Sequence, residues 1–167
     1  MIARATNRKK IPALRGRGKR AQRGVAAIEF ALAFPLFFVI LYGIVMYSMI
    51  FLVQQSLTSA AAEGARAALV YQNATDPTSA LTSRAQAACT RALAVVSWLT
   101  HVPQCTQAVN AAPTGCTGNT AMDCIQITLT YAWNTNPLVP PLPLMELLAP
   151  SSLVGQATVQ IDPENLL

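Results

Sequence analysis

Polar and apolar positions divide the chain into blocks of different period. Residues 30–53 form an uncharged run of 24 residues, through Phe34, Leu36, Phe37, Phe38, Ile40, Ile44 and Phe51 to Val53, apolar on every face of a helix. About 20 mostly apolar residues cross roughly 30 Å of hydrocarbon, whereas the helix of a small soluble domain keeps a polar stripe. The run is therefore predicted to span a membrane. From Gln54 the pattern changes to alanine mixed with Leu, Gln, Glu and Arg, with no proline as far as Gln72. These are good helix formers, so one helix is predicted over 25–72, its outer part a stalk with a small-residue face at Leu57, Ala61, Ala65 and Ala68.

Asp76-Pro77 marks a turn, and Ser79 or Thr82 can cap a second helix in which Leu81, Ala85, Ala88, Ala92, Val95, Val96 and Leu99 recur at helical spacing. Pro103, Pro113, Gly115 and Gly118 predict irregular chain from Val102 to Met122. The period then becomes two. Ile125, Ile127, Leu129, Tyr131 and Trp133 alternate with polar or small residues, and Ala157, Val159 and Ile161 repeat the pattern, predicting two antiparallel strands. Prolines between them bracket the apolar piece Leu142 to Leu148, which reads as a lid over a thin core or as a surface presented to a partner or the membrane. The predicted architecture is α+β and membrane-anchored: a long N-terminal transmembrane helix continuing into a stalk, a second helix and a short antiparallel sheet. Its parts are a basic leader (1–24), the helix and stalk (25–72, membrane part about 30–53) and a small external domain (79–167).

Charge adds an orientation. Residues 1–24 carry nine Arg and Lys and no acid, while the rest carries three Arg against seven acids. A basic flank beside a span stays in the cytoplasm, which puts the C-terminal part in the periplasm if the cell is bacterial. Pro12, Gly16, Gly18 and Gly24 break the leader. Its charge has a topological task and attracts anionic lipid heads, and this reading displaces nucleic-acid binding. The four cysteines, Cys89, Cys105, Cys116 and Cys124, all fall on the external side, where disulfides persist. Three pairings are open. Zinc is disfavoured because the spacings contain no C-x-x-C and the sole histidine, His101, has no evident partner.

Three residues interrupt a plain anchor. Glu29 stands just before the uncharged run, where an unpaired carboxylate is costly and marks function. It either meets water or Arg23 at the interface, or pairs with a positive group on another subunit, such as the amine freed by cleavage after Gly24. Pro35 removes a helix hydrogen bond and predicts a kink. Gly43 permits close helix contact.

Gly24-Val25-Ala26-Ala27-Ile28-Glu29-Phe30 resembles the processing motif of type IV prepilins. The wider pattern, with Pro35, Gly43, Gln54 and Ala61-Ala62-Glu63-Gly64-Ala65-Arg66, resembles the TadE-like pseudopilins of the tight-adherence (Flp, type IVb) pilus system. The resemblance implies cleavage between Gly24 and Val25 by a prepilin peptidase, and a role for Glu29 and Phe30 in subunit registration. It also implies partners among pilin or pseudopilin subunits and inner-membrane pilus assembly proteins, with adhesion or secretion as the output. The expected location is the bacterial inner membrane, single-pass, N-terminus cytoplasmic and C-terminus periplasmic, or the surface pilus after processing.

Nothing points to catalysis or to a cofactor. There is no G-x-S-x-G, no H-E-x-x-H and no phosphate-binding glycine loop, and His101 with Cys105 lacks an orienting third group. The expected function is a non-enzymatic minor pilin-like subunit or assembly factor. The competing readings are a permanently anchored envelope protein whose outer domain binds a protein or substrate, and a domain released by cleavage near Ala62.

Overall fold

In the computed structural model, which describes residues 22–109, 122–140, 142 and 148–166, the elements follow in the order α1 (Gln22–Ala68), α2 (Pro77–Val95), β1 (Gln104–Val109), β2 (Asp123–Tyr131) and β3 (Leu153–Ile161), closed by a short 3₁₀ turn at Pro163–Asn165. The leader to residue 21 lies outside the described residues. By its internal contacts the chain divides into two units, Met1–Leu41 and Tyr42–Leu167.

In the first unit, α1 runs without interruption through Pro35, so the proline ends nothing. Proline is tolerated at such places in apolar helices. Every side chain from Gly24 to Leu41 is exposed.

In the second unit, α1 buries a single seam: Met46, Ile50, Val53, Leu57, Ala60, Ala61, Ala65 and Ala68. The spacing of three and four is that of one helix face. The helix stops at Ala68, short of the predicted Gln72. Leu69 and Val70 donate to Arg66 and Ala67 at 3.1 and 3.2 Å in tightened i→i+3 bonds. Ala68 is the last buried residue, and Leu69, Val70 and Tyr71 are exposed, so no apolar contact extends the helix.

The second helix starts earlier than the predicted Ser79 or Thr82. Asp76 is its N-cap, accepting from the Ser79 amide at 2.9 Å, and the Ser79 side chain bonds back to the cap, with Pro77 in the first turn. This reciprocal arrangement satisfies two orphan donors at once. Ala80, Leu81, Arg84, Ala85, Ala88 and Ala92 are buried. The α-helix ends at Val95, and i→i+3 bonds carry the chain on to Leu99. Alanine on both helices brings them close: a Cβ at Gly64 would lie 2.7 Å from the Ala88 carbonyl oxygen and 2.9 Å from the Ala92 Cβ.

The sheet has three antiparallel strands in the order β1-β2-β3 rather than two. Pairs run from Gln104 with Thr130 to Val109 with Ile125, and from Asp123 with Ile161 to Tyr131 with Leu153. The inward positions of β2, namely Ile125, Ile127, Leu129 and Tyr131, are buried, as the period-two pattern predicts. Gly155 on β3 faces α1 so closely that a Cβ there would collide with the Leu57 carbonyl and lie 2.8 Å from the Thr58 amide nitrogen.

The extra strand corrects the prediction of irregular chain after Val102. Its residues, Gln104 to Val109, lack an apolar alternation and sit at a sheet edge, held by pairing with β2 and by a disulfide from Cys105 to Cys89 on α2 with Cα atoms 5.9 Å apart. Strand formation there is dictated by partners distant in sequence. A bridge of this span, with a sequence separation of 16, is worth about 3 kcal/mol in the chain-entropy account. Cys124 is disulfide-bonded as well, and Cys116 lies outside the described residues.

Candidate functional site

The predicted processing and registration residues all lie on the first turns of α1. The helix begins at Gln22, so Gly24, Val25, Glu29 and Phe30 are helical. Val25 and Glu29, four apart, share one face. A Cβ at Gly24 would meet nothing within 4 Å, so its glycine character answers no packing need in the chain itself. Glu29 is exposed, and a contact with the Arg23 side chain lies outside the described residues.

One feature of this segment escapes a reading by composition. Phe30, Phe34 and Phe38 form a ladder, with ring centroids 5.4 and 6.3 Å apart. The i, i+4 spacing is the available signal, since such residues stand one above the other on a helix. Pro35 and Gly43 serve differently: Pro35 is exposed, whereas Gly43, in the second unit, is half-buried.

The second unit has a distinctive end where α1 enters it. The Tyr42 hydroxyl donates to the Pro140 carbonyl, and the Tyr47 hydroxyl donates to the Leu148 carbonyl at 3.2 Å. Two phenols thus tie the proline-rich crossover between β2 and β3 to α1. Most of the piece Leu142–Leu148 lies outside the described residues. Beside these ties is a cleft of about 310 Å³ lined by Met46, Trp133, Asn134, Pro137, Ala149, Pro150 and Ser151. Trp133 is buried and its ring lies 6.4 Å from that of Tyr131. Burial pushes the Tyr131 phenol above its usual range, a hydrogen bond with Thr100 opposing, and the hydroxyl donates to the Asn136 carbonyl at 2.7 Å.

Elsewhere polar groups secure the fold. Glu63 meets Arg66 at 3.5 Å, as its i, i+3 spacing predicts, and also Arg91 of α2 at 3.3 Å. Both pairs are exposed and contribute little. Arg84 is buried and donates to the Leu166 carbonyl at 3.3 Å, which ties the C-terminal turn to α2. Bonds from the Ser79 backbone and side chain hold the Asp76 carboxyl below its usual range.

Cys105 is oxidised with Cys89, which removes it as a nucleophile for His101. Among the described residues no three His, Cys, Asp or Glu are grouped to hold a metal ion.

Among the described residues one helix is long and apolar enough to cross a membrane, which fits a single-pass membrane anchor, and it is followed by a small α+β unit. Residues 24–66 of the chain match the family described as TadE-like protein. The chain carries a TadE-like domain over this stretch, about a quarter of its length, and that supports a role in the tight-adherence pilus system. No curated protein and no solved structure matches the chain.

Proposed function

We propose that the protein is a non-enzymatic, pilin-like minor subunit or assembly factor of a tight-adherence pilus, held in the bacterial inner membrane with its N-terminus in the cytoplasm. The observation that carries this reading is positional: the TadE-like match begins at residue 24, at the glycine that precedes a Val25-to-Glu29 turn and an uncharged run. A prepilin peptidase cuts between Gly24 and Val25, and the basic leader leaves with the cut. Glu29 then sits one turn from the new amine, and this carboxylate and the exposed helix that follows engage other pilin or pseudopilin subunits and the inner-membrane assembly proteins.

N-terminal sequencing of the protein from its native membrane tests the reading. The mature chain should begin at Val25 only when the peptidase is present, and Gly24→Ala should abolish the cut. Glu29→Gln should insert and be cut but fail to assemble. A chain starting at Met1 in both samples would instead establish a permanent anchor, and a start near Glu63 a released domain.

A further inference from the structure

The folded unit begins inside the apolar run. Of the uncharged residues 30–53, only 30–41 precede it, about 12 residues or 18 Å of helix at 1.5 Å each. Hydrocarbon is roughly 30 Å thick, so this stretch alone falls short by about 12 Å. Counting from Val25 places the Glu29 carboxylate in lipid and still yields about 26 Å. A helix that spans must therefore take its first turns within the folded unit into the bilayer, together with whatever is packed on them.

What is packed there suits lipid. On the turns from Tyr42 to Val53, one face (Met46, Ile50, Val53) is covered by the unit. The rest presents apolar side chains: Ile44 is 60% exposed, Phe51 69% and Leu52 50%. The crossover segment tied to these turns has Leu148 at 65% exposure. It contains five prolines between 137 and 150 and a single charge, Glu146. Proline has no N–H to satisfy, and the Pro140 and Leu148 carbonyls are met by the Tyr42 and Tyr47 phenols instead of depending on water. Tyrosines at the level of a carbonyl-rich, weakly charged loop match the aromatic belt of a membrane interface.

We propose that the α1-entry end of the folded unit, with Tyr42, Tyr47, the crossover residues Pro137–Pro140 and Leu148–Ser151, and the mouth of the Met46–Trp133 cleft, is seated in the headgroup and upper acyl region of the bilayer. The occupant of this surface is lipid. The depth is that of the interface, where an amphipathic surface sinks about 5–10 Å. This inference rests on the single-pass reading of α1 and not on any role in a pilus.

The test uses the full chain in vesicles of phosphatidylcholine and phosphatidylglycerol, labelled with an environment-sensitive fluorophore at one introduced cysteine and challenged with nitroxide-bearing lipids. Labels at Phe37→Cys, Leu148→Cys and Thr82→Cys report the span, the proposed surface and the exposed face of α2. The Phe37 and Leu148 labels should emit to the blue and be quenched by nitroxides, those near the headgroup acting most on Leu148, while the Thr82 label stays in water. A Leu148 label that behaves like the Thr82 label, with Phe37 quenched, would overturn the proposal and keep the span. An unquenched Phe37 label would overturn the span itself. A blue-shifted Leu148 label that lipid does not quench and that returns to the red on dilution into excess lipid would show that a second copy covers the surface, and would equally overturn it.

Discussion

The two stretches of α1 share a backbone and an apolar composition but differ in what covers them. From Gly24 to Leu41 no side chain is buried, while from Met46 onward one residue in every three or four disappears into the core. Apolarity by itself does not distinguish these situations on a helix; the company along one face does. The buried seam begins with large side chains, Met46, Ile50, Val53 and Leu57, and shrinks to Ala60, Ala61, Gly64 and Ala68 where α2 closes in. The earlier stretch shows no such gradation, as expected of a surface whose partner is fluid or supplied by another chain.

The contrast is sharpest between two glycines. Any side chain at Gly155 drives into the Leu57 backbone, and backbone cannot rotate away, whereas Gly24 faces open space. Gly155→Val should lower the stability of the folded unit by at least about 3 kcal/mol. The expected readout is loss of the cooperative urea transition of the full chain in detergent. Gly24→Ala should leave that transition within about 0.5 kcal/mol of the parent. Equal midpoints for Gly155→Val and the parent would mean that β3 does not press on α1.

A pair of valines tests the same difference at smaller amplitude. Val53 is fully buried and Val39 is 46% exposed. Val53→Ala removes two methyl groups from a packed seam and should cost about 2 kcal/mol, transfer plus residual cavity. Val39→Ala should leave the unfolding of the outer unit unmoved. If the two substitutions shifted the urea midpoint alike, the distinction between the stretches would collapse.

What was legible in the residues follows the same division. The small-residue face of the stalk, the second helix and the two apolar strands each carry their own period, so local pattern and tertiary structure agree there. The element missed, β1, has no period to read: Gln104, Thr106 and Gln107 are exposed at a sheet edge, and the strand exists because Cys105 is bonded to Cys89 and its backbone pairs with β2. Helix ends moved for a similar reason. Leu69 to Tyr71 have ordinary helix propensity but nothing to pack on, and the α2 cap moved to Asp76 because Pro77 fits the first turn and Ser79 completes the reciprocal bonds. Of the candidate site, the Gly24–Glu29 segment was readable as a motif. The tyrosine ties to the crossover join residues about a hundred positions apart, and no local pattern announces them.

The start of α2 supplies the mildest test, because it is held by exposed polar contacts rather than by burial. The Asp76 carboxyl is kept below its usual value of about 4 by the Ser79 bonds. A depressed folded value means that the carboxylate contributes its full stabilisation above the unfolded value and loses it as pH falls through the folded one. Asparagine also caps helices well but does not titrate there. Between about pH 5 and pH 2, the thermal midpoint of the parent should therefore fall slightly further than that of Asp76→Asn, with the two curves parallel above that range. The other carboxylates are common to both proteins and cancel in the difference. Curves that stay parallel throughout would show that the cap works through its hydrogen bonds alone. The effect should be smaller than that of Val53→Ala, since removing a surface charge leaves the seam between α1 and the sheet intact.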